Sequence, residues 1–295
     1  MSNKKFFKRI TQKITAVFLA TILLTSFVPT FSTFSTANAA AVESIDPYER
    51  LNHHITTLAT FSDRYHFTEY LIDHAHATRP AAEYIINAAD YTLAEGMNIE
   101  LLPDFEGQPG ISILTDEEGL VEWQVSVAQS GLYNISVLYF ATPGRSSDVQ
   151  RAIFINGESP FFEASPIEFR RTWVNQHAEI QQDNQGNDIR PTQIEFPMWA
   201  ESVIQDAMGT YNEPFLFYLN AGVNTIGLLS QREPMAIRHI RVHQIPDTPT
   251  YAEFSANLQG LPQATIANVA PIRIEGEAAV RKSSPMLAPQ ADTAG

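Results

Sequence analysis

Val121, Trp123, Val125 and Val127 alternate with Glu122, Gln124 and Ser126, and soon afterwards Ile135, Val137 and Tyr139 alternate with Asn134, Ser136 and Leu138. Successive side chains of a strand point to opposite faces, so a period of two buries one face and leaves the other polar. An amphipathic helix cannot carry that pattern. The same texture recurs in YIINAADY, ISILT, VQRAIFIN, PFLFYLN, NTIGLLS and IRHIRVHQI, with turn residues at 116–119, 130–131, 143–144, 156–157 and 221–222. Many short strands joined by tight turns predict a mainly β fold, an antiparallel β-sandwich of jelly-roll type over residues 81–245. Its inward set is predicted as Val121, Trp123, Val125, Ile135, Val137, Ile153, Ile155, Ile226, Leu228, Ile240 and Val242.

Residues 1–40 read differently. MSNKKFFKRITQK carries five basic residues and no acid, ITAVFLATILLTSFV is apolar, and STANAA supplies small residues, the layout of a cleaved signal peptide. The apolar run is shorter than the roughly 20 residues a spanning helix needs, so a secreted product without a membrane span is expected. With no cysteine there is neither a disulfide framework nor a thiol for a lipid anchor. Beyond residue 40 the chain keeps 14 basic against 33 acidic residues, a net of −19, which excludes a nucleic-acid surface. Lys282 is the one lysine in that stretch; the remaining basic residues are arginines, which hold their charge to higher pH and point to an alkaline or saline medium.

The flanks suggest helices. In residues 41–80, a helical arm, DPYERLNHHITTLATF offers Asp46 as N-cap with Pro47 behind it, and FTEYLIDHAHATRP is helical until it meets Pro80. Residues 246–264 hold TYAEFSANLQGLP, a linker helix with Thr250 and Glu253 at capping-box spacing. Further on, PIRIEGEAAVRKSSPML is similar to EYIINAADYTLAEGMNIELL at the start of the sandwich, Ile274 to Ala278 aligning with Ile86 to Asp90. Residues 265–295 are therefore expected to be the truncated start of a second β-sandwich module. They should pack poorly, because a lone first strand cannot bury its apolar face. Inside the sandwich, residues 161–209 interrupt the strand pattern: PMWAESVIQDAMG reads as a short helix and DNQGNDIRP, residues 183–191, as an extended loop.

The chemistry of these residues points to binding. There is no G-x-S-x-G, H-E-x-x-H or glycine-rich phosphate loop, and the Asp116, Glu117, Glu118 run has no partner carboxylate at a defined spacing, so no enzyme is expected. His66, Asp73, His74 and His76 lie close in sequence, but His74 and His76 would leave a helix on different faces, so zinc is not expected. DNQGND sets Asp183, Asn184, Asn187 and Asp188 around Gly186 without the spacing of an EF-hand loop. An Asx turn is one reading, with Asp183 and Asp188 as calcium ligands the alternative; no cofactor is required. Sugars need aromatic platforms beside hydrogen-bonding side chains, and the insertion supplies both: Trp173, Trp199 and Tyr211 with Asn175, Asp183, Asn187 and Arg190. Trp123 belongs to the core, while Trp173 and Trp199 are left open between core and site.

GLVEWQVSVAQSGLYNISVLYF, VQRAIFINGESPF, DNQGNDIRPTQIEFPMW, TYNEPFLFYLNAGVNTIGLLSQREPMAIRHIRV and IEGEAAVRKSSPML together resemble the N-terminal part of large secreted bacterial extracellular solute-binding proteins of carbohydrate ABC transporters. The resemblance implies galactose-binding-like modules, similar to carbohydrate-binding modules, followed by a two-lobed solute-binding domain. It implies an oligosaccharide or polysaccharide ligand, and ABC-transporter components as partners through domains that this chain lacks. Similar modules often hold a structural calcium with first-strand carboxylates; here Asn87 and Ala89 stand at those positions, whereas the second copy has Glu275 and Glu277. Two readings follow: a carbohydrate-binding module, or a structural module that packs against other domains of a longer extracellular protein.

Overall fold

A computed structural model describes residues 65–258, 272, 274, 276 and 279–287. The expected signal peptide, the helix expected after Asp46 and most of the second-module motif lie outside these residues.

In chain order the strands are β1 Tyr84–Asn87, β2 Leu93–Glu95, β3 Glu100–Pro103, β4 Ile111–Thr115, β5 Leu120–Val127, β6 Gly131–Phe140 and β7 Val149–Ile155. They continue with β8 Ile167–Phe169, β9 Trp173–Asn175, β10 Gln193–Glu195, β11 Trp199–Val203, β12 Phe217–Leu219, β13 Gly222–Arg232 and β14 Met235–His243. One sheet runs β11-β6-β14-β4-β3, with β1 also on β14 and β12 also on β6; the other runs β2-β5-β13-β7-β8. Every pairing is antiparallel. The two sheets enclose one apolar core, a mainly β sandwich as the alternation predicts.

Every residue of the predicted inward set is buried. Trp123 is wholly enclosed, and its indole N–H donates to the Ala88 carbonyl at 2.8 Å, which satisfies the ring's one polar atom inside the core. Glu122 departs from the simple alternation, for it is also buried; a smaller apolar cluster of Leu120, Ala152, Phe154 and Leu229 covers the outer face there.

One sequence expectation is corrected. PMWAESVIQDAMG is not helical: Trp199–Val203 forms β11, pairing with β6 from Phe140 to Ser136. The open hydrogen-bonding edge of β6 outweighs the weak local preference of this segment. Of the expected second module, residues 272, 274, 276 and 279–287 are described. Ile272 and Ile274 are exposed, yet Lys282 is buried at 9% and pairs with Trp173.

Helix α1, Phe67–Asp73, ends at His74, ahead of Pro80. It belongs to the sandwich core, because Phe67 and Tyr70 pack on Phe161 at ring distances of 4.9 and 5.1 Å. Helix α2, Tyr251–Leu258, has the expected capping box: Thr250 N–H and Oγ1 donate to Glu253, and the Glu253 N–H donates to Thr250 Oγ1.

One end of the sandwich is organised by a buried carboxylate. Glu233, fully enclosed, accepts from the Arg145 N–H at 2.9 Å, from Ser147 Oγ at 2.7 Å and from Arg171 Nη2 at 3.2 Å. Burial alone would raise its pKa, but the Ser147 and Arg145 hydrogen bonds and the Arg171 charge hold it below the ordinary glutamate value. Beside it Arg151, also buried, donates to the carbonyls of Gln150, Arg232 and Glu233 and to Thr115 Oγ1. Burial pushes its guanidinium down to about 9, so it stays charged at neutral pH.

Candidate functional site

The residues proposed from sequence for a sugar site fall in three separate places. Trp173 and Asn175 lie on β9, which pairs with β10 in a two-stranded ribbon apart from both main sheets. Trp173 is buried, and Asn175 Oδ1 accepts from Gln193 Nε2 and Lys282 Nζ, each at 2.6 Å. Trp199 sits at the edge of the first sheet, its indole N–H donating to the Phe105 carbonyl at 3.0 Å and its ring against Phe140. Tyr211 lies under α1, 5.3 Å from the Phe67 ring, with its hydroxyl near Thr68 and Glu163.

DNQGNDIRP forms a hairpin tip, not an extended loop. The Asp183 N–H donates to the Asn187 carbonyl at 2.9 Å and Gln182 bridges Asp188. Asp183 spends its carboxylate locally, accepting from the N–H groups of Gln185 and Asn187 at 2.8 Å and from Asn187 Nδ2 at 2.9 Å. The Asn187 side chain, then the Asn187 and Gln185 N–H groups, hold this carboxyl below its ordinary value. Asp188 instead accepts from Gln182 Nε2, so the two acids that formed the alternative calcium pair serve different partners. Arg190 donates to the Met286 carbonyl at 3.2 Å.

The position where the family resemblance implies calcium does not fit that ion. Asn87 Oδ1 accepts from Arg238 Nη1 at 3.3 Å, and the same guanidinium reaches the carbonyls of Pro109 at 2.7 Å and Ile111 at 3.5 Å. Three oxygens from two segments already face one cation. Gly110, at φ +89°, makes the close approach possible, since a Cβ there would collide with the guanidinium. A divalent ion at this place would be repelled by Arg238, and Ala89 has no donor atom to offer. Among the described residues no three His, Cys, Asp or Glu side chains converge as metal ligands. Asp73 accepts from the Tyr65 hydroxyl, His66 faces Glu163, and His74 Nδ1 faces the Tyr70 carbonyl.

What the sequence reading missed is an aromatic cleft of about 700 Å³ beside α1. Tyr70 and His74 are one helical turn apart and therefore share a face. Tyr218 of β12 completes a tier of rings, His74 lying 4.4 Å from Tyr70 and 4.5 Å from Tyr218. The Tyr218 N–H donates to the Tyr70 hydroxyl at 2.6 Å, and Tyr65 adds a further ring to the wall. Opposite runs the chain from Ile155 to Pro160, where Asn156 and Gly157, at φ 54° and 82°, form a tight two-residue turn closed by reciprocal bonds between Ile155 and Glu158. Glu158 and Asn220 line the cleft with side-chain polar groups that make no hydrogen bond among the described residues.

The electrostatics of the cleft favour neutral donors. Burial pushes the Tyr70 hydroxyl up to about 12, and burial together with the Asp73 hydrogen bond takes Tyr65 to about 12. Both remain protonated through the physiological range. α1 is anchored by Glu163, which accepts from the Phe67 N–H at 3.0 Å and lies 2.8 Å from His66 Nδ1. The one clear signal in the sequence was the four-residue spacing of Tyr70 and His74; their partner Tyr218 is far along the chain.

The described residues contain one Ser–His contact that invites a catalytic reading, Ser136 Oγ at 2.8 Å from His243 Nε2. Both residues are buried, and burial, then the charge of Arg241, lowers the His243 pKa below the ordinary histidine value. With the serine shut away from solvent, the pair is an internal hydrogen bond of the sheet.

No protein-family profile matches the chain, and no curated protein matches it. Among solved structures it is similar to a GH26-CBM35 β-(1,4)-mannanase from Podospora anserina, at 15% identity over 58% of this chain and 29% of that one, with a TM-score of 0.34. A family 35 carbohydrate-binding module from Clostridium thermocellum aligns at 18% identity over 56% of this chain and 100% of the module, TM-score 0.32. The C-terminal CBM6 of a marine laminarianse from Zobellia galactanivorans aligns at 14% over 55% and 100%, TM-score 0.30. The fold assignment given above rests on the strand pairings themselves.

Proposed function

We propose that this chain is a non-catalytic carbohydrate-binding β-sandwich that works outside the membrane, with the cleft beside α1 as its sugar site. The observation that carries the reading is the juxtaposition of Tyr65, His74 and Tyr218 with Glu158 and Asn220 around one open cleft. A sugar ring offers apolar C–H faces fringed by hydroxyls, and rings next to hydrogen-bonding side chains with no internal partner complement both. The lining holds a carboxylate and no lysine or arginine, which favours neutral over acidic glycans. The finer reading, the N-terminal part of a solute-binding protein for sugar uptake, has the sequence resemblance as its support.

Affinity electrophoresis of the full chain through gels containing neutral polysaccharides tests the proposal. Retention is expected, weakened about tenfold by Tyr65→Ala or Asn220→Ala, a loss of roughly 1.4 kcal/mol, with the thermal melt nearly unchanged for Asn220→Ala. Arg190→Ala should be retained like the wild type. Loss of retention in Arg190→Ala alone would move the site to the ribbon, and no retention on a broad panel would overturn the function.

A further inference from the structure

The β9–β10 ribbon has a third member. The Trp173 N–H donates to the Lys282 carbonyl at 2.7 Å and the Lys282 N–H to the Trp173 carbonyl at 2.8 Å, the reciprocal pair of an antiparallel ladder. The Lys282 ammonium then reaches Asn175 Oδ1 at 2.6 Å, while Arg281 stands over the Phe196 ring at 5.5 Å. Arg190, on the far side of the ribbon tip, donates to the Met286 carbonyl at 3.2 Å. Yet the apolar side chains of this segment, Val280, Met286 and Leu287, are exposed. The segment is thus held through its backbone and its cations, as in strand addition to a sheet edge, and not by burial of apolar surface.

Lys282 makes the contact selective. It is the one lysine beyond residue 40, and it is among the buried charged residues. Burying an ammonium is costly unless a partner is placed for it, and Asn175 is placed for it. The neighbouring exposed positions of the segment carry no comparable burial.

We propose that the insertion is an intrachain clasp: the outer edge of β9 receives residues 281–283 of the same polypeptide and fixes the path of the chain after α2. The segment follows directly on residues 274–278, the motif similar to the start of the sandwich, so the clasp orients any module that this motif begins. This surface stands apart from the aromatic cleft and does not rest on the carbohydrate reading. It gives the ribbon residues Trp173, Asn175 and Arg190 a task in interdomain geometry.

The test needs no variant to begin. Native full-length chain is treated with an amine-acylating N-hydroxysuccinimide ester, and labelling of Lys282 is followed by peptide mass spectrometry. Lys282 is expected to react at least about tenfold more slowly in the folded chain than in urea, which corresponds to the closing of a hydrogen-bonded contact. Asn175→Leu should raise that rate toward the unfolded one, and Lys282→Pro, which deletes the N–H, should remove hydrogen-exchange protection at the Trp173 amide. Labelling of folded wild type at the unfolded rate would overturn the clasp, as would an unchanged Trp173 amide in Lys282→Pro. A wild-type dimer by light scattering that becomes monomeric in Lys282→Pro would place the segment on a second copy and would also overturn it.

Discussion

The two sheets and the β9–β10 ribbon solve the same problem by different physics. In the sheets, the apolar faces of β5, β6, β13 and β14 are buried, and Trp123, Ile135, Val137, Ile226 and Ile240 are wholly enclosed. In the ribbon tip, residues 181–190 are all exposed, and shape comes from directional bonds such as those of Asp183 to the N–H groups of Gln185 and Asn187. Apolar burial acts collectively and is hard to remove piecemeal, whereas each polar contact in the tip stabilises only its own turn. The difference locates stability in the sandwich and adaptability in the ribbon tip.

The strongest way to break this comparison is Val125→Asp. It would set an unpaired carboxylate in the core and is expected to abolish folding, read as loss of the cooperative melt in circular dichroism. A folded variant would show that β5 does not face the core through Val125. Next in size is Glu233→Gln, which leaves Arg171 with only the Glu195 carboxylate and should cost about 3–5 kcal/mol in urea unfolding. Because the folded Glu233 carboxyl titrates below its ordinary value, its contribution is present above the unfolded glutamate value of roughly 4.3 and is lost as pH falls through the lower folded one. An acid titration of stability should therefore steepen below that point in wild type and less so in Glu233→Gln; equal slopes would remove Glu233 from the account.

Arg238→Ala should cost about 1–2 kcal/mol, since it frees the carbonyls of Pro109 and Ile111 and the Asn87 side chain. EDTA should leave the wild-type melt unmoved; a fall restored by Ca²⁺ would show a metal where the guanidinium is placed. The smallest effect sharpens the contrast most. Asp183→Ala is expected to change global stability by less than about 0.5 kcal/mol while exchange of the Gln185 and Asn187 amides becomes fast. A loss comparable to that of Glu233→Gln would mean that the tip is integral to the core.

Sequence and structure agree where the physics is local or periodic. The inward set follows from strand alternation alone, the Thr250–Glu253 capping box from a spacing of three, and the self-bonded turn at Asp183 from the habit of Asx side chains of capturing nearby N–H groups. They part where a residue's partner is remote. The segment of β11 looks helical in sequence because nothing near Trp199 announces the edge of β6. Trp173, Trp199 and Tyr211, grouped by composition, lie respectively on the ribbon strand that pairs with Lys282, at a sheet edge and against the Phe67 ring of α1.

What the sequence determined by itself is the class of fold and the identity of the core, because a period of two in apolar residues has one way to be buried and that way is a sheet face. Only the tertiary structure decided which polar and aromatic residues meet. Tyr70 meets Tyr218 across 148 positions, Arg238 meets Asn87 across 151, and Lys282 meets Asn175 across 107. Each of these contacts exists because the sandwich first closes those loops by burying its apolar faces, and the hydrogen bonds then select among side chains that chain spacing alone leaves unrelated.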